Sequence, residues 1–371
     1  MRFRFGKVMM VLAIAGLITA CNKAVVQQEP DKLVREGLHK LSTQDTKFNF
    51  SGEAKLQTEV PTENKDSQAQ ASSASEDLSP SLVPMKQYQN LLDLISKSFK
   101  VKYTGAVDLS QYKIEVIPEY HYEAKNILLS LKFPIQVDLS KLAVYIDSAA
   151  LTNFSDTFAK EAMPSKYVGE RYVKVAVPED DIKRLPLSDL FKDLSKATDD
   201  SYASLDAKSF SSVNVDDFGK KINAKYQVKL TTNAKLTNKM TIVALDSLSK
   251  SLQQQGQEAA SKNGQYQQQD YEVLKQYVDK LNMVYKNQLN NDGKLSQYME
   301  KMPIIYDYYL DDKGRIIAVR NKIRIYTASK DFERNVYVIA ESQIDYSAPK
   351  FTMTPTDQNT LNITSQLVGV F

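Results

Sequence analysis

The clearest pattern in the chain is a run of alternating apolar and polar residues at 127–139. Every odd position in the run is apolar and most even positions are polar, which is the spacing of a β-strand with one buried face. At about 3.3 Å per residue the run predicts a single strand of roughly 40 Å. Pro134 lies within it and predicts an edge position or a bulge, because proline cannot donate to the ladder. The apolar positions are Ile127, Leu129, Leu131, Phe133, Ile135, Val137 and Leu139.

Shorter alternating runs predict a series of further strands. Two of them echo each other: KFNFSGEAKLQ at 47–57 matches KVKYTGAVDLS at 100–110 at Lys, Gly and Leu, with conservative exchanges between them. The echo is either a helix–strand repeat or a chance product of strand composition. Residues 311–314 (DDKG) predict a hairpin turn, since Gly314 tolerates a positive φ. The predicted strands are 47–57, 101–109, 112–122, 144–146, 166–177, 225–230, 303–310, 315–327, 335–346 and 350–354.

Residues 58–84 show neither strand nor helical spacing. They are rich in Ser, Gln, Ala, Glu and Pro, and this composition predicts a disordered insertion.

Apolar residues at helical spacing appear between the predicted strands. Together the patterns predict an α+β fold with a long antiparallel, curved, half-barrel-like sheet and helices that cover one face of it. The predicted helices are 31–42, 86–99, 187–197, 216–222, 240–252 and 265–290.

Charge argues against nucleic acid as a partner. The formal net charge of +3 comes entirely from Arg2, Arg4 and Lys7, since residues 1–20 contain no acid. Without those three residues, 45 of the 48 Lys and Arg side chains remain against 45 Asp and Glu. A balanced chain has no general attraction to a polyanion.

The supply of chemically active residues predicts a protein that is not an enzyme and holds no metal or cofactor. The chain has one cysteine and two histidines, which is a poor supply for Ser-His-Asp or Cys-His catalysis and for zinc. No G-x-G, G-x-S-x-G or H-E-x-x-H sequence occurs, so phosphate-binding loops and common catalytic motifs are absent. His121 stands between Glu119 and Glu123 on one strand face; this is either a metal or proton site or, as we favour, a solvated face.

Three cations share one face of the predicted strand 315–327. Arg320, Lys322 and Arg324 alternate with apolar residues. They form either a binding site for an anionic head group or glycan, or a solvated face whose charges protect the sheet edge. They are the candidate ligand-binding residues of the chain.

The N-terminus resembles the signal peptide of bacterial lipoproteins. A short basic segment is followed by an apolar run from Val8 to Ile18, too short to span a bilayer, and then by Leu17-Ile18-Thr19-Ala20-Cys21. This is similar to a lipobox, and it implies cleavage between Ala20 and Cys21 and acylation of Cys21. Two or more acyl chains give firm anchoring. The alternative is an uncleaved apolar segment that happens to end in a cysteine.

The resemblance also implies a location and a domain organisation. In enterobacterial lipoproteins an aspartate after the cysteine retains the protein at the inner membrane, whereas this chain has Asn22. We therefore expect a lipid-anchored envelope protein on the outer membrane, facing the periplasm. The expected parts are a signal peptide at 1–20, a lipidated tether at 21–30, and an α+β domain at 31–371 with the insertion 58–84 and a helical segment at 235–300.

Three fragments resemble the lipid-carrier fold of lipoprotein-localisation factors and mycobacterial lipid-binding lipoproteins. They are FNFSGE at 48–53, YVGERYVK at 167–174 and DKGRI at 312–316. The resemblance implies a curved half-barrel whose apolar concave face holds acyl chains, and it assigns no individual ligand residue. Two functions follow as expectations: binding of a lipid or another hydrophobic ligand or, alternatively, an envelope scaffold that docks a protein through 265–290 or a strand edge.

Overall fold

The computed structural model describes residues 29–59, 99–124, 126–158, 170–261, 264–290, 299–326 and 334–364. The predicted signal peptide and Cys21 lie outside these ranges, as do residues 60–84 of the predicted insertion and 86–98 of the predicted helix. Thr58 and Glu59, the first two residues of that insertion, belong to a strand instead.

The strands of the described chain join into one large curved sheet that is not closed, and the predicted α+β class is confirmed. The strands lie in the order β13-β7-β6-β5-β3-β2-β1-β12-β11-β10-β9-β8, with β4 paired to β3. All neighbours are antiparallel except β13 and β7. The strands are β1 Lys47–Glu59, β2 Phe99–Asp108, β3 Lys113–Ala124, β4 Ile127–Lys132, β5 Ile135–Asp138, β6 Ala143–Asp147, β7 Tyr172–Ala176, β8 Phe210–Val213, β9 Tyr226–Asn233, β10 Pro303–Leu310, β11 Ile316–Tyr326, β12 Asn335–Asp345 and β13 Thr360–Asn362.

The helices pack mainly on one face of the sheet, the inner face. Leu41 of the first helix forms one core cluster with Phe48, Val107 and Ile114 of three adjacent strands. Residues that alternate with these, such as Glu115, therefore point to the opposite, outer face. The helices are α1 Pro30–Thr43, α2 Ser148–Phe158, α3 Glu179–Ile182, α4 Leu187–Ala203, α5 Asp217–Lys221, α6 Ala234–Ala259 and α7 Gln268–Asn290.

The prediction of one long strand over 127–139 is wrong. The run is two strands, β4 and β5, separated by Phe133 and Pro134, and both pair with β3. The chain remains attached at the break, because Phe133 N–H donates to the carbonyl of Pro118 at 2.9 Å. Beyond β5, Leu139 begins a 3₁₀ turn. The alternation predicts which face of the sheet each side chain occupies. It does not predict whether the hydrogen bonds to the neighbouring strand are continuous.

The prediction of a strand at 350–354 is also wrong, since those residues join no ladder. They form an extended segment tied to a side chain: Thr352 and Met353 N–H groups both donate to Glu115, each at 2.8 Å. Their alternating pattern reflects one side turned toward protein and one toward solvent. Four elements that the periodicity did not predict, α2, α3, β8 and β13, have 11 residues or fewer.

The sequence echo between 47–57 and 100–110 has a cross-strand explanation. β1 and β2 pair so that Phe50 lies opposite Gly105 and Tyr103 lies opposite Gly52. A Cβ added at Gly105 would lie 2.2 Å from the Phe50 ring, and one at Gly52 would lie 2.5 Å from the Tyr103 ring. Each aromatic ring thus occupies the space above the glycine of the other strand. The matching residues form this reciprocal pair, and a helix before β2 is not needed to explain them.

Two larger hydrophobic cores lie beside the cluster around Leu41. In one, Leu33, Val34 and Leu38 of α1 pack with Tyr202, Met240, Tyr308 and Ile316. The other is built largely from helices, and it includes Leu248 and Leu252 of α6 and Leu274 and Val278 of α7. In the second core helices pack on other helices: α7 packs on α6, and α6 packs on α4. The helical layer therefore extends past the helices that contact the sheet.

Candidate functional site

The three cations predicted as a ligand site lie on the outer face, and each is engaged within the protein. Arg320 forms ion pairs with Asp216, with Asp307 at 3.1 Å and with Glu341 at 3.9 Å. Lys322 binds Glu59 at 2.6 Å and lies 4.1 Å from the centre of the Tyr337 ring. Arg324 donates to the carbonyl of Lys301 at 2.7 Å. An anionic ligand would therefore have to displace existing partners.

Arg320 holds the short helix α5 onto the outer face of the sheet. Its guanidinium binds Asp216, whose side chain also caps α5 by accepting from Gly219 N–H at 2.9 Å. The guanidinium lies over the rings of Phe218 and Tyr309, a cation–π arrangement. The guanidinium, the Asp216 carboxylate and the two rings each contact at least one of the others, so we interpret the arrangement as one that stabilises the fold.

The same contacts set the acidity of Asp216. Partial burial raises the pKa of its carboxyl group, but donation from the Gly219 backbone, Arg320 and the Tyr309 hydroxyl outweighs that effect. The pKa of Asp216 is therefore lowered from its ordinary value, which keeps the carboxylate charged beside Arg320.

A cleft of about 360 Å³ opens on the outer face, away from the helices. Its walls come from β1, β2, β3 and β12 and from the 350–352 segment. They combine polar side chains, such as Asn49, Thr104 and Asp345, with a larger share of apolar surface. Glu115 lies at its base and is fully buried.

The remaining sequence candidates form weaker arrangements. His121 Nε2 lies 3.1 Å from Glu119 Oε1, and Glu119 also accepts from Ser130 at 2.6 Å and approaches Lys132 at 3.6 Å. Donation from Ser130, followed by the nearby cations, lowers the pKa of Glu119. Within the described ranges no group of three His, Cys, Asp or Glu residues is placed to hold a metal ion.

The structure also brings together His39 and Ser195, which sequence reasoning did not connect. His39 Nδ1 and Ser195 Oγ are 3.1 Å apart between α1 and α4. A nucleophilic site needs an acid to orient the imidazole and donors for an oxyanion. One turn away on each helix, Arg35 and Asp199 bind each other through two hydrogen bonds of 2.7 and 2.8 Å. The pair is therefore part of a polar seam between two helices.

Part of the inner face is apolar and only half-buried. α1 covers the half of the sheet near the β2–β3 turn, whereas the half toward Glu59 and Phe99 keeps a row of partly exposed apolar side chains. Strand register places them on one face. We call this row the apolar strip: Leu56, Val101, Tyr120, Leu131 and Val338.

Helix α7 leaves a second apolar surface exposed. Its buried side packs on α6 through Tyr271, Leu274, Val278 and Tyr285. On the neighbouring side, four residues at helical spacing are between 38% and 59% exposed, and we call them the α7 stripe: Val273, Tyr277, Leu281 and Val284. Leu281 is 44% exposed, although its spacing from Leu274 is that of one helical face. The signal was present in the sequence, because α7 is apolar over more of its circumference than one contact requires.

Comparison with known proteins gives no relative. No family model, no curated protein and no solved structure matches the chain. In the part of the chain that the structure describes, no helix combines the length and the apolar character needed to cross a membrane.

Proposed function

We propose that the chain is a bacterial envelope lipoprotein, anchored by lipid on Cys21, whose folded domain binds a hydrophobic or amphiphilic ligand without catalysing a reaction. The observation that carries the ligand proposal is the apolar strip. Leu56, Val101, Tyr120, Leu131 and Val338 lie side by side on the inner face, and none of the five is fully buried. A partly covered apolar face of this kind offers an acyl-sized surface.

The anchor is tested by replacing Cys21. Cys21→Ala should abolish acylation and leave residues 1–20 attached, because the thiol that takes the lipid and directs the cleavage is missing. Membrane fractionation and intact mass spectrometry measure the result: the wild-type chain should lose residues 1–20 and gain acyl mass. A Cys21→Ala chain that is still cleaved at the same bond and still sediments with membranes would overturn the anchor.

The ligand is tested by native mass spectrometry of the chain purified from its own envelope, followed by lipid extraction. A lipid should co-purify with the wild-type chain. Leu56→Glu should lower the bound fraction at least about tenfold, because a charge on the apolar strip faces the acyl chain. Lys55→Glu is the matched control, since the neighbouring residue points to the outer face. Wild-type chain that carries no lipid, or equal loss in both variants, would overturn the ligand proposal.

The second candidate is an envelope scaffold that docks a protein. The α7 stripe favours it, because exposed apolar patches mark interaction surfaces. Crosslinking in intact cells should then capture one stoichiometric partner at α7, and Leu281→Glu should abolish that crosslink.

A further inference from the structure

The α7 stripe has the composition of a surface that meets a lipid headgroup layer. Tyr277 is the most exposed residue of the stripe, at 59%. Lys280 lies in the same stretch, with its ammonium 5.7 Å from the centre of the Tyr277 ring. Aliphatic side chains, an amphipathic ring and a lysine able to extend its charge to water suit the boundary between headgroups and acyl chains.

The start of α1 and the C-terminal half of α7 lie at the same end of the helical layer. α1 runs antiparallel to α4, since Arg35 meets Asp199 and His39 meets Ser195. The end of α4 meets the middle of α6, where Asp200 accepts from Ser247. The middle of α6 in turn meets the C-terminal half of α7, where Asn282 donates to Asp246 at 2.6 Å.

The tether from Cys21 is long enough to bring this end to the bilayer. Packed helices are separated by about 8–10 Å, so three steps from α1 to α7 span roughly 24–30 Å. Nine residue steps separate Cys21 from Pro30, and an extended chain of that length reaches about 30 Å. The membrane that holds Cys21 therefore stays within reach of the α7 stripe.

We propose that the α7 stripe rests in the headgroup region of the bilayer that holds Cys21, and so fixes the orientation of the folded domain on the membrane. This inference rests on the proposed anchor. The tether favours the bilayer over a protein partner, because it holds the stripe permanently near the surface and even a weak intrinsic affinity then suffices. One helical face of four residues is also small beside a standard protein interface of about 800 Å² per partner.

The absence of tryptophan from the chain allows a direct test. Tyr277→Trp introduces a single indole at an exposed position of the stripe, and Glu272→Trp introduces one at an exposed polar position of the same helix. The lipidated mature chain is reconstituted into phosphatidylethanolamine–phosphatidylglycerol vesicles, with or without brominated acyl chains. At position 277 the emission should shift to the blue, and brominated lipid should remove most of its intensity. At position 272 neither change should occur.

Two further measurements test the membrane contact of the α7 stripe separately from the lipid anchor at Cys21. Flotation with vesicles reports the anchor alone, and adding Leu281→Glu and Val284→Glu to Tyr277→Trp should abolish quenching while flotation persists. A floating chain whose indole at 277 is quenched no more than the one at 272 would overturn the inference and leave the anchor standing. The stripe would then face a protein or a second copy, which crosslinking at 277 would reveal. A chain that does not float overturns the anchor and this inference together.

Discussion

Glu115→Ala should lower the free energy of unfolding by about 3–5 kcal/mol, because several buried donors lose their acceptor at once. The carboxylate accepts from Thr352 N–H and Met353 N–H, each at 2.8 Å, from the Thr352 hydroxyl at 3.0 Å and from the Gln136 amide at 3.3 Å. Met353 and Gln136 are almost fully buried, so water cannot readily reach their donors, whereas the exposed Thr352 can turn its donors to solvent. Urea unfolding measures the loss, and limited proteolysis should cut the variant first within 347–359.

Glu119→Ala is the matched control for this prediction. Glu119 lies four residues further along the same strand and on the same face, but its side chain is 24% exposed and that of its partner Lys132 is 65% exposed. We expect its removal to cost less than about 1 kcal/mol, the usual range for exposed ion pairs. If both variants lose the same stability, or if 347–359 resists protease in Glu115→Ala, Glu115 does not hold that segment.

The elements that could be predicted from sequence are those whose signal is local. The predicted bounds of β10, 303–310, agree with the structure, and the turn after it forms as expected, with Gly314 at φ 70° and the Asp311 carboxylate accepting from Lys313 and Arg315 N–H. A side chain that caps its own turn and a glycine at positive φ require no distant partner. Such features can be assigned from residues a few positions apart.

The missed features depend on partners far away in the sequence. Alternation over 127–139 gave the correct faces, but only pairing with β3 shows that the ladder breaks at Pro134. Arg320 belongs to a strand whose pattern suggested a free cationic face, and its partner Asp216 is 104 residues away. Glu115 lies in an ordinary alternating strand, and its role depends on a segment 237 residues later. Periodicity carries no information on such pairings.

At α7 the sequence predicted the helix but could not predict which of its apolar residues are buried. Apolar residues at helical spacing predicted the helix, but they could not tell which of two adjacent apolar sides packs on α6. Leu274 and Leu281 have the same residue type on the same helix, yet Leu274 is 5% exposed and Leu281 is 44% exposed. The direction of the helix relative to its neighbour decides this, and that direction is set by the whole helical core.

Arg320→Ala should lower the free energy of unfolding by about 2–4 kcal/mol, because it leaves partly buried carboxylates without their cation. Asp307 and Asp216 lie on either side of the guanidinium, and Asp307 is 7% exposed. The variant should also loosen α5, which measures as faster hydrogen exchange at 217–221. Lys322→Ala, on the same strand and face, should cost about 1 kcal/mol or less, since the side chain of its ion-pair partner Glu59 is 34% exposed, whereas the side chain of Asp307 beside Arg320 is 10% exposed.

The loss of stability in Arg320→Ala should depend on pH, because Asp216 is the carboxylate that Arg320 binds. Its pKa in the folded chain is lowered, below an ordinary value of 3.8, so its ionic contribution is complete above about pH 4 and is lost as the pH falls through the folded value. The stability gap between wild type and Arg320→Ala should therefore be full at neutral pH and should narrow below about pH 4. Urea unfolding of both chains at neutral pH and below about pH 4 measures this stability gap. A gap that stays constant into the acid range, or one no larger than that of Lys322→Ala, would mean that Arg320 acts through packing alone and does not neutralise Asp216.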